Sequence, residues 1–310
     1  MAAGDGHARN ADAARARVDQ AAISYRKTIL NALGEVTFGK GRAAYFPMVA
    51  DPATQPSMLT IHGRLNCDLD YANWVVPDCA EEMNKSRRMV ALQARRLAEQ
   101  GYAVLQIDLL GCGDSSGDFG DATWQAWLDD VEAAHAWLRE RCAAPLWLWG
   151  LRSGCLLATD AAKRLDEPVN FLFWQPVVSG KTFLQQFLRL KVAGEMLSGD
   201  SKGVMAGLKA SLASGQSVEI AGYTLSPALA QGLEAAELLP PARAGRLVWL
   251  EVSSRENATL APVSLKRIET WQAAGFDVDS AVLPGLTFWP TTEIEEAPDL
   301  LAATTRALAS

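Results

Sequence analysis

The stretch Leu146-Trp147-Leu148-Trp149-Gly150-Leu151-Arg152-Ser153-Gly154-Cys155-Leu156-Leu157 decides how this chain is read. An apolar strand runs into Gly150, the chain turns, and Gly154 opens a helix of small residues. That succession is the pattern of a nucleophile elbow, Gly-x-Ser-x-Gly. Glycines stand two positions either side of the apex because side chains there would collide across so tight a turn. The apex here is Arg152, whose guanidinium stays protonated and has no lone pair with which to attack. Moving the apex to Ser153 would put Leu151 and Cys155 where small residues belong. Cys155, on the first helical turn, reads as a small core residue.

Outward from the elbow, strands and helices alternate. Upstream the pattern predicts a helix from Asn84, a good N-cap, to Gly101, then a buried strand over 103–109. A glycine loop over 111–120 follows. Asp121 or Thr123 then caps a helix with Trp124, Trp127, Leu128, Val131 and Leu138 on one face. After the elbow strand come a helix over 154–163 and a strand over 169–175. The rhythm breaks at Pro176 and resumes with a strand over 246–252, a helix over 261–274, a strand over 278–283 and a helix over 299–308. Nearer the start, strands are predicted over 43–49, 57–65 and 72–77, behind a helical leader at 1–35. Repeated βα units predict an α/β fold, a mainly parallel twisted sheet flanked by helices. The expected division is a core of residues 36–176 and 241–310, with a helical cap, 177–240, inserted between late strands.

The loop Asp108-Leu109-Leu110-Gly111-Cys112-Gly113-Asp114-Ser115-Ser116-Gly117 is similar to the Asp-x-x-Gly-x-Gly-x-Ser loop of α/β-hydrolases. Paired with the elbow one helix later, it predicts the α/β-hydrolase fold. A dinucleotide-binding reading is poorer, because the glycines lack the Gly-x-Gly-x-x-Gly register and acidic residues follow them.

A serine hydrolase of this fold carries its acid and its histidine after the nucleophile in chain order. The chain has three histidines, His7, His62 and His135. The loop after the last strand, 284–289, offers Thr287 where the histidine is expected. His62-Gly63 resembles an oxyanion-hole His-Gly, but it precedes the predicted strand 72–77 and so reads as out of register. His135 sits mid-helix and reads as packed or solvated. No Ser-His-Asp triad assembles in the expected order. The oxyanion loop is expected in the polar segment 80–88, dense in ionisable groups. The catalytic candidates are therefore Glu81, Glu82, Asp114, Ser115, Ser153 and Glu251, the last in the strand preceding the acid position. Ligand-binding candidates are Arg152, Ser153, Asn84, Ser115 and Trp289. Arg152 stands at a helix N-terminus, where free N–H groups and the dipole favour an anion and a guanidinium fork suits phosphate or carboxylate.

Composition narrows the classes further. A net charge of −7 recommends no nucleic acid. Five scattered cysteines lack metal-type spacing and read as reduced thiols; no metal is expected, and no cofactor either. The opening residues have no apolar signal region, and no apolar run is long enough to span a bilayer. The amphipathic stretch Phe183-Leu184-Gln185-Gln186-Phe187-Leu188-Arg189-Leu190-Lys191 reads as core-facing, with a membrane-surface contact as the other reading.

Five stretches resemble a specific family: 77–89, Asp108 to Asp118, Trp149 to Gly154, Phe173 to Lys181, and Phe288-Trp289-Pro290-Thr291-Thr292-Glu293-Ile294. They look like the exosortase A system-associated hydrolases of the second type, over about residues 74–310. In that family the elbow also looks like Gly-Leu-Arg-x-Gly, so the resemblance makes Arg152 a family feature. It implies a cytoplasmic protein of Gram-negative bacteria that make exopolysaccharide and sort PEP-CTERM proteins.

Two functions follow. One is a hydrolase of an acidic or phosphorylated ester or thioester, with a small acidic molecule or a lipid-linked or glycan precursor as its partner. The other is a non-catalytic scaffold that binds an anionic ligand or assembles pathway components.

Overall fold

The computed structural model describes residues 43–46, 57–62, 79–112, 117–140, 143–198, 203–289 and 295–309. In chain order the core elements are β1 (Ala43–Phe46), β2 (Ser57–His62), α1 (Cys79–Glu99), β3 (Ala103–Asp108), α2 (Trp124–Arg139), β4 (Leu146–Leu151), α3 (Gly154–Ala162) and β5 (Val169–Trp174). An insertion follows, with α4 (Gly180–Ser198), α5 (Val204–Ala213), β6 (Val218–Ile220), β7 (Tyr223–Leu225) and α6 (Pro227–Ala235). The chain then returns through β8 (Arg246–Ser253), α7 (Pro262–Ala273), β9 (Asp277–Pro284) and α8 (Pro298–Ala309).

The larger sheet runs in the order β1-β3-β2-β4-β5-β8-β9. Only β1 is antiparallel to its neighbour, and every other pairing in it is parallel. The central strands are buried on both faces, which is why they read as unbroken apolar runs. Successive side chains alternate between the faces. Leu148, Phe171, Phe173 and Trp249 pack with Trp127, Val131 and Leu156 and with Phe183, Phe187 and Leu229 of the insertion. Trp147, Trp149, Leu172, Trp174, Val248 and Leu250 pack with Met89 and Val90 of α1 and with Leu300 and Leu301 of α8. Each such side chain contributes about 1.5–3 kcal/mol of burial. The apolar stripe of α4 is thereby accounted for, since Phe183, Leu184, Phe187 and Leu188 are buried. Among the described residues no helix is long and apolar enough to cross a membrane.

Some expectations need correction. Helix α1 starts at Cys79, five residues before Asn84. Ala80, Glu81, Glu82 and Met83 are good helix formers, and acidic residues in a first turn suit the helix dipole, so Asn84 is no cap. Residues 80–88 are thus helix and not an oxyanion loop. In the insertion the hairpin β6–β7 and helix α6 had no counterpart in the sequence reading. The hairpin turns on Ala221 and Gly222, at φ 49° and 81°, the left-handed pair that a two-residue turn requires. The leader at 1–35 and the predicted strand at 72–77 lie outside the described residues.

Candidate functional site

Strand β4 delivers the elbow. A Cβ on Gly150 would come within 2.6 Å of both Cα and N of Cys155, so the turn admits only glycine there. Arg152, at the apex, has φ 55°, a left-handed conformation costing an ordinary side chain about 1–2 kcal/mol. The Arg152 amide donates to Trp174 O at 3.0 Å, and its carbonyl accepts from Cys155 N at 3.1 Å. The strain is thus held by β5 on one side and by the start of α3 on the other. The half-buried guanidinium lies over the indole of Trp289, 5.5 Å from the ring centroid. Such a cation–π contact contributes about 0.5–1 kcal/mol at an exposed site and more when desolvated.

Trp289 is itself 2% exposed and stacks edge-to-face on Phe288, which packs in turn on Trp174. The Trp289 indole N–H is buried without a hydrogen-bond partner among the described residues. Two positions that carry nucleophile and histidine in a serine hydrolase of this architecture, the apex and the loop after the last strand, therefore meet here as guanidinium and indole. Thr287 in that loop is half-buried.

Ser153 is 4% exposed, has helical backbone angles and makes no side-chain cap, so it does not take the apex's place. Cys155 is fully buried. Burial pushes its thiol well above the usual range, against the pull of the Arg152 charge, and leaves it a poor nucleophile. Glu251, within β8, accepts a hydrogen bond from Trp249 Nε1 at 2.8 Å and remains half-buried. Glu81, Glu82 and Asn84 lie in the first turns of α1, and their side chains are outside the described residues, as are Asp114 and Ser115. Asp108 ends β3 half-buried. The loop after it is anchored by Leu110 N donating to Asp130 Oδ2 at 2.8 Å, and a Cβ on Gly111 would strike Asp118 O at 2.4 Å. That part of the glycine pattern shapes the turn.

Sequence reasoning missed two features. Gln175, at φ 45°, follows β5 and bonds to β8 with main chain and side chain. Its N donates to Leu250 O at 2.8 Å, and its Oε1 accepts from Val252 N at 2.8 Å. A polar residue between a buried strand and Pro176 was the available signal. The second is register. β2 lies between β3 and β4, so its last residue, His62, ends beside the elbow strand. In this architecture that position carries the oxyanion loop. The expectation that His62-Gly63 is out of register is therefore corrected by the pairing of β2 with β3 and β4.

At the carboxyl ends of β8 and β9 a cleft of about 450 Å³ opens, lined in part by Ser253, Arg255, Glu256, Asn257 and Pro284. Arg152 follows the carboxyl end of β4 and Trp289 the carboxyl end of β9, so both stand at the sheet edge where such folds bind ligands, although neither lines that cleft.

Comparison with known proteins agrees with this geometry. Residues 42–181 match the family model described as X-Pro dipeptidyl-peptidase (S15 family). Over 89 residues, 28% of this chain, the sequence is 34% identical to human Protein ABHD12B, and the match spans 23% of that protein's length. Est1E from Butyrivibrio proteoclasticus, solved with ferulic acid bound, is similar with a TM-score of 0.54 at 14% identity, covering 86% of this chain and 93% of that one. The complex of DcsB with its substrate analogue gives a TM-score of 0.50 at 12% identity, covering 87% and 95%. Identities this low speak of fold alone. Strand order, the left-handed elbow and these likenesses together place the chain among the α/β-hydrolase-fold proteins.

Proposed function

We propose that the protein is a hydrolase of a carboxylic ester or thioester that carries a negative charge, with Arg152 as the anchor for that charge. The observation that carries this reading is the left-handed apex itself. A strained conformation usually kept for an attacking side chain is maintained here for a guanidinium lying on an indole. Backbone strain held by its surroundings is a signature of functional positions. The helix dipole at the start of α3 adds to the attraction for an anion. Ser153, Asn84, Ser115 and Trp289 complete the proposed ligand shell, and the buried N–H of Trp289 offers a further donor.

With no nucleophile at the apex, water attacks the acyl carbon directly and no acyl-enzyme forms. Glu81, Glu82, Asp114, Ser115 and Glu251 are the side chains proposed to orient that water. Residues 36–176 and 241–310 act as the catalytic core and residues 177–240 as its cap. The motif resemblance supports a place in the exosortase A, PEP-CTERM and exopolysaccharide system in the cytoplasm, with a lipid-linked or glycan precursor as the proposed substrate.

The test is a panel of p-nitrophenyl esters, neutral butyrate against mono-succinate and mono-glutarate, with fluorophosphonate labelling alongside. Turnover should favour the anionic esters. Arg152→Ala should raise their KM about 10–100-fold, the loss of one charge-assisted hydrogen bond, and leave the neutral ester unaffected. Stoichiometric fluorophosphonate labelling of Ser153, or equal turnover of both ester classes by wild type and variant, would overturn the assignment. Protection of the wild type by succinate against thermal unfolding without any turnover would overturn the hydrolase reading while keeping the anchor.

A further inference from the structure

The hydrolysis proposed above needs a group to take a proton from water, and the loop that ordinarily supplies an imidazole offers Thr287. Of the three histidines, His7 lies outside the described residues, and His135 is held by Glu167 beside the start of β5, at the amino end of the sheet. His62 is the last residue of β2, at the carboxyl end. The parallel register sets Ile61 beside Gly150, the first glycine of the elbow, and His62 beside Asp108, the last residue of β3. Neighbouring strands lie about 4.8 Å apart, so one strand spacing separates the His62 backbone from Asp108 and another from the β4 end that leads into Arg152. An imidazole-bearing residue, a carboxylate-bearing residue and the elbow therefore leave the sheet side by side.

We propose that His62 is the general base that activates the attacking water, with Asp108 as its positioning residue. The inference rests on the reading of this site as a hydrolase. The water oxygen bonds to the acyl carbon of an ester held by Arg152, and the water proton passes to the His62 imidazole. The C–O or C–S bond then breaks, and the imidazolium returns that proton to the departing alkoxide or thiolate. The products are a carboxylic acid and an alcohol or thiol, with no other reactant consumed. An imidazole suits the task because it titrates near neutral pH, and such a base contributes about 10²–10⁴ in rate.

The experiment is the pH dependence of turnover of p-nitrophenyl mono-succinate by the whole chain. The wild type should lose activity below about pH 6–7 as the base protonates. His62→Ala should lower kcat about 10²–10³-fold, abolish that acid limb, and recover activity when imidazole is added. His62→Gln should match the loss while keeping the wild-type Tm. Asp108→Asn should move the acid limb to lower pH, because removing a neighbouring carboxylate disfavours the imidazolium. An unchanged kcat and acid limb in His62→Ala, with Arg152→Ala still raising KM, would overturn the role of His62 and leave the proposed function standing. A loss in His62→Ala that imidazole does not relieve, together with a lowered Tm in His62→Gln, would also overturn it. No turnover of any ester by the wild type would overturn both.

Discussion

The two ends of the sheet solve different problems. Before β4 and β5 start, Arg139 donates from Nε to Glu167 Oε1 at 2.7 Å, its terminal nitrogens bond Glu167 Oε2 and the Ala144 carbonyl, and His135 joins the same carboxylate. The cluster ties the end of α2 to the approaches of two strands. Burial works against the ionised Glu167, but hydrogen bonds from Arg139 and His135 and their charge outweigh it, so its pKa falls below the ordinary carboxylate value. At the opposite end the chain holds Arg152 and Gln175 in left-handed backbone and stacks a guanidinium on a buried indole. One end satisfies its charges in relaxed backbone, whereas the other stores strain where a ligand would dock. Strain at one edge and satisfied charge at the other separate function from stability.

Three substitutions test that contrast. The largest effect is expected from Gly150→Ala, which forces a methyl against the Cys155 backbone and should lower unfolding stability by about 3 kcal/mol in urea titration. A loss below about 0.5 kcal/mol would mean that the elbow is looser than its geometry. Next comes Glu167→Gln at the amino end, expected to lose about 1–2 kcal/mol at neutral pH because Arg139 loses its carboxylate and His135 its hydrogen-bond partner. A carboxyl group with a lowered folded pKa contributes stability above its unfolded value, near 4.3, and loses it as pH falls through the folded value. Unfolding midpoints of wild type and variant should therefore converge below about pH 4. Parallel curves would remove Glu167 from the account. The smallest change is expected from Arg152→Gly. Relief of the left-handed conformation, about 1 kcal/mol, offsets the lost cation–π contact, so Tm should stay within a few degrees while protection by succinate disappears. A marked fall in Tm would make Arg152 a structural residue.

Particular residues show how far sequence carried. Thr123 caps α2 by accepting from Ala126 N at 3.0 Å, and Trp127, Leu128, Val131 and Leu138 are buried as their spacing predicts. The elbow was legible because its glycines answer to sterics within a few residues. The start of α1 was misplaced because an asparagine capable of capping stood inside a run of better helix formers. Of the site, Arg152 and Trp289 were each singled out, but nothing in their spacing of more than a hundred residues announced that they touch. The placement of His62 was invisible for the same reason, whereas Gln175 carried a local signal in its polarity just before Pro176.

By itself the sequence determined the alternation of strands and helices, the sharp turn at Gly150 and the guanidinium at its apex, because periodicity and turn sterics act over a handful of neighbouring residues. Only the tertiary structure decided which strand lies beside which, and hence that His62 leaves the sheet next to the elbow and that the last loop lays an indole under Arg152. Strand register depends on pairings between distant segments, and a shift of one strand in the order moves every residue at its end to a different neighbour.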